Sequence, residues 1–142
     1  MSAIGDTSSE KGFTLLEVLV VLSISAMASM LVFPQLDRAF HVLALRRAAF
    51  GFAADLRKAR ADAIMSGQSQ AVTLDAKGDG YSTPAGWHSA SHGVRFAGSD
   101  DVLLFYADGT SSGGQISVNA FRRYLDVRVD PITGVVAVGH LP

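Results

Sequence analysis

The chain has 142 residues, with 12 Lys and Arg against 13 Asp and Glu, four His and no Cys. That length fits one domain with an appendage, and a net charge of −1 excludes the basic footprint of a typical nucleic-acid binder. Without cysteine there is no disulfide framework, no thiolate metal site and no cysteine nucleophile.

Hydrophobic residues reach 49% while charged ones stay at 18%, and the apolar excess is concentrated near the N-terminus. Residues 18–36 form a run of nineteen without a charge, rich in Leu, Val, Ile, Met and Ala. As a helix the run is about 28 Å long, close to the ~30 Å hydrocarbon core of a bilayer. A buried core helix is one alternative, but so small a domain has little surface with which to cover every side of it. A cleaved signal peptide is another, with Ala26-Met27-Ala28 as its small-x-small site. Against cleavage there stand Lys11 outweighed by Asp6 and Glu10, apolar residues continuing to Phe33, and the carboxylate of Glu17. The reading is therefore an N-terminal membrane helix. An ionised carboxylate costs about 2.5–3.5 kcal/mol at mid-bilayer, so Glu17 needs a partner or a proton.

The string Gly12-Phe13-Thr14-Leu15-Leu16-Glu17, followed at once by the uncharged run, resembles the processing site of type IV pilins and type II secretion pseudopilins. The resemblance implies a leader, residues 1–12, removed by a prepilin peptidase that cuts between Gly12 and Phe13 and N-methylates Phe13. It also implies that Glu17 meets the N-terminal amine of a neighbouring subunit during assembly. An ammonium and a carboxylate, each costly in lipid, become tolerable when they neutralise each other. Pro34 removes a helical hydrogen bond, and by the same resemblance marks a kink between a membrane half and an exposed half. The alternative is that Pro34 ends the membrane helix. The leader is acidic, whereas leaders of the family tend to be basic. Lys11 stands alone before the run while Arg38, Arg46 and Arg47 follow it, so charge does not orient the chain. Orientation with the N-terminus inside and the C-terminal part in the periplasm is what the resemblance implies.

Beyond Pro34 a helical pattern persists to Ser66. Val42, Leu45, Ala49, Phe52, Ala53, Leu56 and Ala63 recur at three- and four-residue spacings and form one apolar stripe. Arg47, Asp55, Lys58 and Asp62 fall on another face, with Asp55–Lys58 and Lys58–Asp62 spaced for pairing on a solvated surface. Ser66-Gly67 is the stop.

From Gly67 onward short β-like runs alternate with Gly, Ser, Asp and Pro. Strands are expected at 70–75, 92–96, 102–106, 115–118, 124–129 and 135–138, with Asp130-Pro131-Ile132-Thr133-Gly134 as a hairpin turn. The expected fold is α+β: a long N-terminal helix, part membrane and part amphipathic, packed on a small antiparallel β-sheet or β-sandwich. The division is a leader at 1–12, a transmembrane helix at 13–36, a helical arm at 37–66 and a β-rich domain at 67–142. Whether the strands form one sheet or two stays open.

Within that domain, the segment from Phe105 through Tyr106-Ala107-Asp108-Gly109-Thr110-Ser111-Ser112-Gly113-Gly114 to Ile116 is similar to the signature of the H-type minor pseudopilins. Asp108, Gly109, Ser112, Gly113 and Gly114 carry that likeness: a strand, an Asp-Gly turn, a Gly pair and a returning strand. The resemblance implies a structural subunit of a type II secretion pseudopilus, in its tip complex, supporting export of folded proteins. The partners it implies are other minor and major pseudopilins, the prepilin peptidase, inner-membrane lipid and secreted cargo. The alternative is a minor type IV pilin active in DNA uptake or adhesion. Arg122-Arg123 is the one local basic pair that reading has to offer, and no nucleic-acid partner is expected.

Other chemistry finds little support. Asp75-Ala76-Lys77-Gly78-Asp79-Gly80 lacks the third oxygen ligand and distal Glu of a Ca²⁺ loop and reads as a hairpin turn. His88 and His92 have a ligand-like spacing but no helical pattern, and no nucleophile elbow or phosphate loop occurs. No metal, cofactor or catalytic residue is expected. Trp87, in a loop at 81–91, reads either as an exposed contact residue or as a partly buried loop anchor.

Overall fold

The computed structural model describes residues 13–139, with backbone alone at 31–39. The expected leader, its closing Gly12 and the His140 ring lie outside the described residues. The chain divides into two compact units, Met1–Asp37 and Arg38–Pro142. One helix, α1 (Leu15–Ser66), contributes to both, and its backbone stays helical through Pro34. The helix therefore does not end at the proline.

In the first unit Ser23 and Ser29 return their hydroxyls to the carbonyls of Leu19 and Ser25, each at 2.8 Å. Each hydroxyl is thereby satisfied within the helix itself. Among the described residues no helix is long and apolar enough to cross a membrane. The described side chains of this unit stop at Met30, so the last part of the uncharged run lies outside them.

The second unit is a helix covered by two four-stranded antiparallel sheets. The strands are β1 (Gln70–Leu74), β2 (Gly80–Thr83), β3 (Gly86–Ser89), β4 (Val94–Gly98), β5 (Val102–Phe105), β6 (Gly114–Ala120), β7 (Arg123–Val129) and β8 (Val136–Gly139). One sheet has the order β3-β2-β1-β5 and the other β4-β6-β7-β8. The question of one sheet or two is thus answered as two.

The expected loop at 81–91 is instead the hairpin β2–β3, with Ser82 opposite Trp87 and Thr83 opposite Gly86. Its two strands are only four residues each, and Pro84, Gly80 and Gly86 crowd them with turn signals, which hides the alternation. The segment 75–80 is the turn between β1 and β2, where the Asp75 carboxylate accepts the Lys77 N–H at 3.0 Å.

The apolar stripe of α1 is the centre of the core. Ala49, Phe52, Ala53, Leu56 and Ala63 have no exposed surface, and Leu45 and Ala59 join them. Alanines at four of these places let the sheets approach the helix backbone closely. Phe52 meets Tyr81 of β2 at 4.6 Å and Phe96 of β4 at 5.2 Å, while Tyr81 and Phe96 pack edge to face at 5.2 Å. Three rings thus join the helix and both sheets, and each aromatic so buried contributes roughly 2–3 kcal/mol.

Candidate functional site

At the N-terminus the helix begins with a cap. Thr14 Oγ1 accepts the N–H of Glu17 at 3.2 Å, so the Thr-x-x-Glu spacing inside the processing string also starts the helix. Phe13 is 80% exposed. Glu17 shares a surface with Phe13, Val18, Val21 and Leu22. Among the described residues its carboxylate, which stands on an apolar surface, has no ion-pair partner to neutralise it.

The Asp108–Gly114 segment forms the second constellation. The Asp108 carboxylate accepts the Thr110 N–H at 2.9 Å and the Thr110 hydroxyl at 2.6 Å. The Thr110 hydroxyl first, and then its N–H, hold the Asp108 carboxyl below the usual carboxylate range. The Ser112 N–H donates to the Leu104 carbonyl at 2.9 Å and the Ser112 hydroxyl accepts the Leu104 N–H at 3.1 Å. Both backbone groups of Leu104 that face away from β1 are satisfied by one serine. The Ser111 hydroxyl donates to the Asp130 carbonyl at 2.9 Å and accepts the Gly113 N–H at 3.0 Å. The turn is thereby tied to the β7–β8 turn.

That second turn is built the same way. The Asp130 carboxylate accepts the N–H groups of Ile132 at 3.0 Å and Thr133 at 2.8 Å. The Thr133 N–H, then its hydroxyl, hold the Asp130 carboxyl low. The helix fastens both turns with two arginines one turn apart. Arg60 Nε donates to the Gly109 carbonyl, and Arg57 Nη2 donates to the Val136 carbonyl, each at 3.0 Å. Gly134, at φ +64°, is where everything converges: a Cβ there would stand 2.3 Å from the Gly109 oxygen and 2.6 Å from Arg60 Nε.

A third cluster joins the helix to the β2–β3 hairpin. Tyr81 Oη donates to Asp55 Oδ2 at 2.6 Å, and His88 Nδ1 lies 3.3 Å from the same oxygen. The Tyr81 and His88 rings stack at 5.1 Å. Burial first, and then the hydrogen bond and charge of Asp55, push the Tyr81 hydroxyl above its ordinary range. Asp55 therefore faces the domain rather than Lys58; among the described residues neither Asp55–Lys58 nor Lys58–Asp62 forms an ion pair. No group of three or more His, Asp or Glu among the described residues is placed to hold a metal ion. Trp87 stands on β3, 56% exposed.

Sequence reasoning singled out Phe13, Glu17 and the Asp108–Gly114 residues, and the structure places them in two separate constellations, one in each unit. It passed over Arg57, Arg60, Tyr81 and the pairing of Asp55. The available signal was Arg60 beside Ala59 at the border of the inward stripe; Arg57 is exposed and carried none.

The helix and two-sheet arrangement defines a pilin-like protein. It is similar to the type IV minor pilin FimU of Pseudomonas aeruginosa, with a TM-score of 0.60 at 16% identity over 68% of this chain and 88% of FimU. It is similar also to the minor pseudopilin EpsH of the Vibrio cholerae type 2 secretion system, with a TM-score of 0.56 at 15% identity over 66% of this chain and 94% of EpsH. The prokaryotic N-terminal methylation motif matches residues 7–33. The type II secretion system protein H of Xanthomonas campestris pv. campestris is 34% identical, across 92% of this chain and 84% of that protein. The chain belongs to the type II secretion system protein H family, a family of structural pseudopilins.

Proposed function

We propose that this chain is a non-enzymatic subunit of a type II secretion pseudopilus, placed in its tip complex, where it supports export of folded proteins. The carrying observation is the 34% identity to a protein H over nearly the whole chain. In this reading a prepilin peptidase cuts between Gly12 and Phe13 and methylates Phe13. Residues 13–36 then hold the subunit in the inner membrane, with residues 67–142 in the periplasm. On assembly the helix leaves lipid for the packed helices of the filament, and Glu17 finds the N-terminal amine of a neighbouring pseudopilin. The Glu17 carboxylate has no ion-pair partner among the described residues and stands in apolar surroundings, which supports this, because the pairing removes two unfavourable charges at once. Pro34 supplies a bend, and the Asp108–Gly114 turn keeps the exposed domain rigid for contact with other minor pseudopilins and cargo. A minor type IV pilin is supported by the N-terminal string and by fold likeness to FimU at 16% identity.

Complementation of a strain lacking the protein tests the reading. Glu17→Ala is expected to abolish incorporation and export while the protein is still made and processed. Replacing Gly12 with a bulky residue is expected to leave the leader attached, visible as a mass increase. Full export by Glu17→Ala overturns the pairing, and an unchanged mature N-terminus after Gly12 replacement overturns the processing.

A further inference from the structure

The connection between β6 and β7 is built against the usual preference. Ala120 pairs with Arg123, so Phe121 and Arg122 alone make the turn, and both have positive φ, 49° and 70°. Asn-Gly is the ordinary solution for two left-handed residues in succession. Bulky residues there carry a steric cost and persist where the surroundings hold them. The Phe121 ring stacks on His41 of α1 at 3.5 Å and lies over Gly93, where a Cβ would come within 2.4 Å of it. The tip is thus pinned to the helix at a residue only five positions beyond Leu36, the last of the uncharged run.

What the tip presents is aromatic and cationic. Phe121 and Tyr124 are each 44% exposed, and Arg122 and Arg123 are exposed between them. The recess beside the tip is lined by Gly93, Arg95 and Asn119 and by no carboxylate. Among the described residues Arg122 and Arg123 form no ion pair. Aromatic rings beside arginines suit a bilayer surface, where the rings lie among headgroups and the guanidinium groups meet phosphate.

We infer that the β6–β7 tip, residues 121–124, is a contact for anionic phospholipid headgroups that holds the domain against the membrane before assembly. The inference rests on the proposed membrane span at 13–36.

The full chain in vesicles tests it. In a Trp87→Phe background, the indole introduced by Phe121→Trp is followed with headgroup-proximal brominated lipid, and that of Leu22→Trp, followed with lipid brominated deep in the acyl chain, serves as a control within the span. The position-121 indole is expected to be quenched more strongly in phosphatidylcholine vesicles containing phosphatidylglycerol than in phosphatidylcholine alone. Arg122→Gln and Arg123→Gln are each expected to reduce the preference for the anionic vesicles about fivefold. Quenching at position 22 without quenching at 121 overturns the inference and leaves the span intact. Quenching at neither position overturns both. A tip that cross-links to a second copy, or binds duplex DNA, instead of being quenched also overturns the inference.

Discussion

Arg60 Nε reaches the carbonyl oxygen of Gly109 at 3.0 Å, joining residues 49 positions apart. This bond fastens the signature turn to the helix, with a charged donor in a partly buried place. Arg60→Ala is expected to destabilise the domain by about 2 kcal/mol, since it leaves the Gly109 carbonyl unpaired. Arg60→Lys should recover little, because a lysine lacks the planar fork. Thermal unfolding of the detergent-solubilised chain gives the comparison.

Two glycines should respond to alanine with opposite signs. Gly134→Ala drives a Cβ to 2.3 Å from the Gly109 oxygen at φ +64°. A loss of at least about 2 kcal/mol is expected. Gly51 lies within the helix, and a methyl group added there would meet nothing within 4 Å. There the better helix former should stabilise by about 1 kcal/mol. Urea midpoints of the two variants check both signs.

Alkaline pH should loosen the β2–β3 hairpin. The Tyr81 hydroxyl ionises at higher pH folded than unfolded, because of burial and then Asp55. Its contribution is therefore complete below the unfolded value of about 10 and declines as pH rises above it. The decline is about 1.4 kcal/mol per pH unit from this one group. Tyr81→Phe should remove that part of the slope, which is read as the difference between the two stability–pH curves.

Acid acts on the two aspartate turns. Hydrogen bonds from Thr110 and Thr133 depress the Asp108 and Asp130 carboxyls, so their stabilisation is complete above an unfolded value of about 4. It is lost as pH falls through the lower folded values. Asp108→Asn and Asp130→Asn should each be less stable than wild type at neutral pH and flatten the acid limb, as measured by unfolding midpoints from neutral to strongly acidic pH.

The helix and most of the strands were legible because their signals are local. The stripe through Leu45, Ala49, Phe52 and Leu56 repeats at helical spacing, and β1, β5, β6, β7 and β8 are short alternating or continuously apolar runs between turn residues. The expected strand at 92–96 runs instead from Val94 to Gly98, since Gly93, at φ +78°, belongs to the turn before it. The hairpin β2–β3 was hidden by its shortness. The contacts that assemble the turns were not legible at all, because Arg60 with Gly109 and Asp55 with Tyr81 depend on how distant segments are brought together. An i, i+3 or i, i+4 rule pairs Asp55 with Lys58 only when nothing stronger faces it, and a buried tyrosine hydroxyl does.

The serine that satisfies both outward groups of Leu104 has a consequence for how copies of this chain can join. An open sheet border invites any extended strand to zip onto it, which would give a growing fibre with the wrong geometry. At the Leu104 end of β5 that invitation is withdrawn by the chain's own returning backbone, so accretion there is closed off.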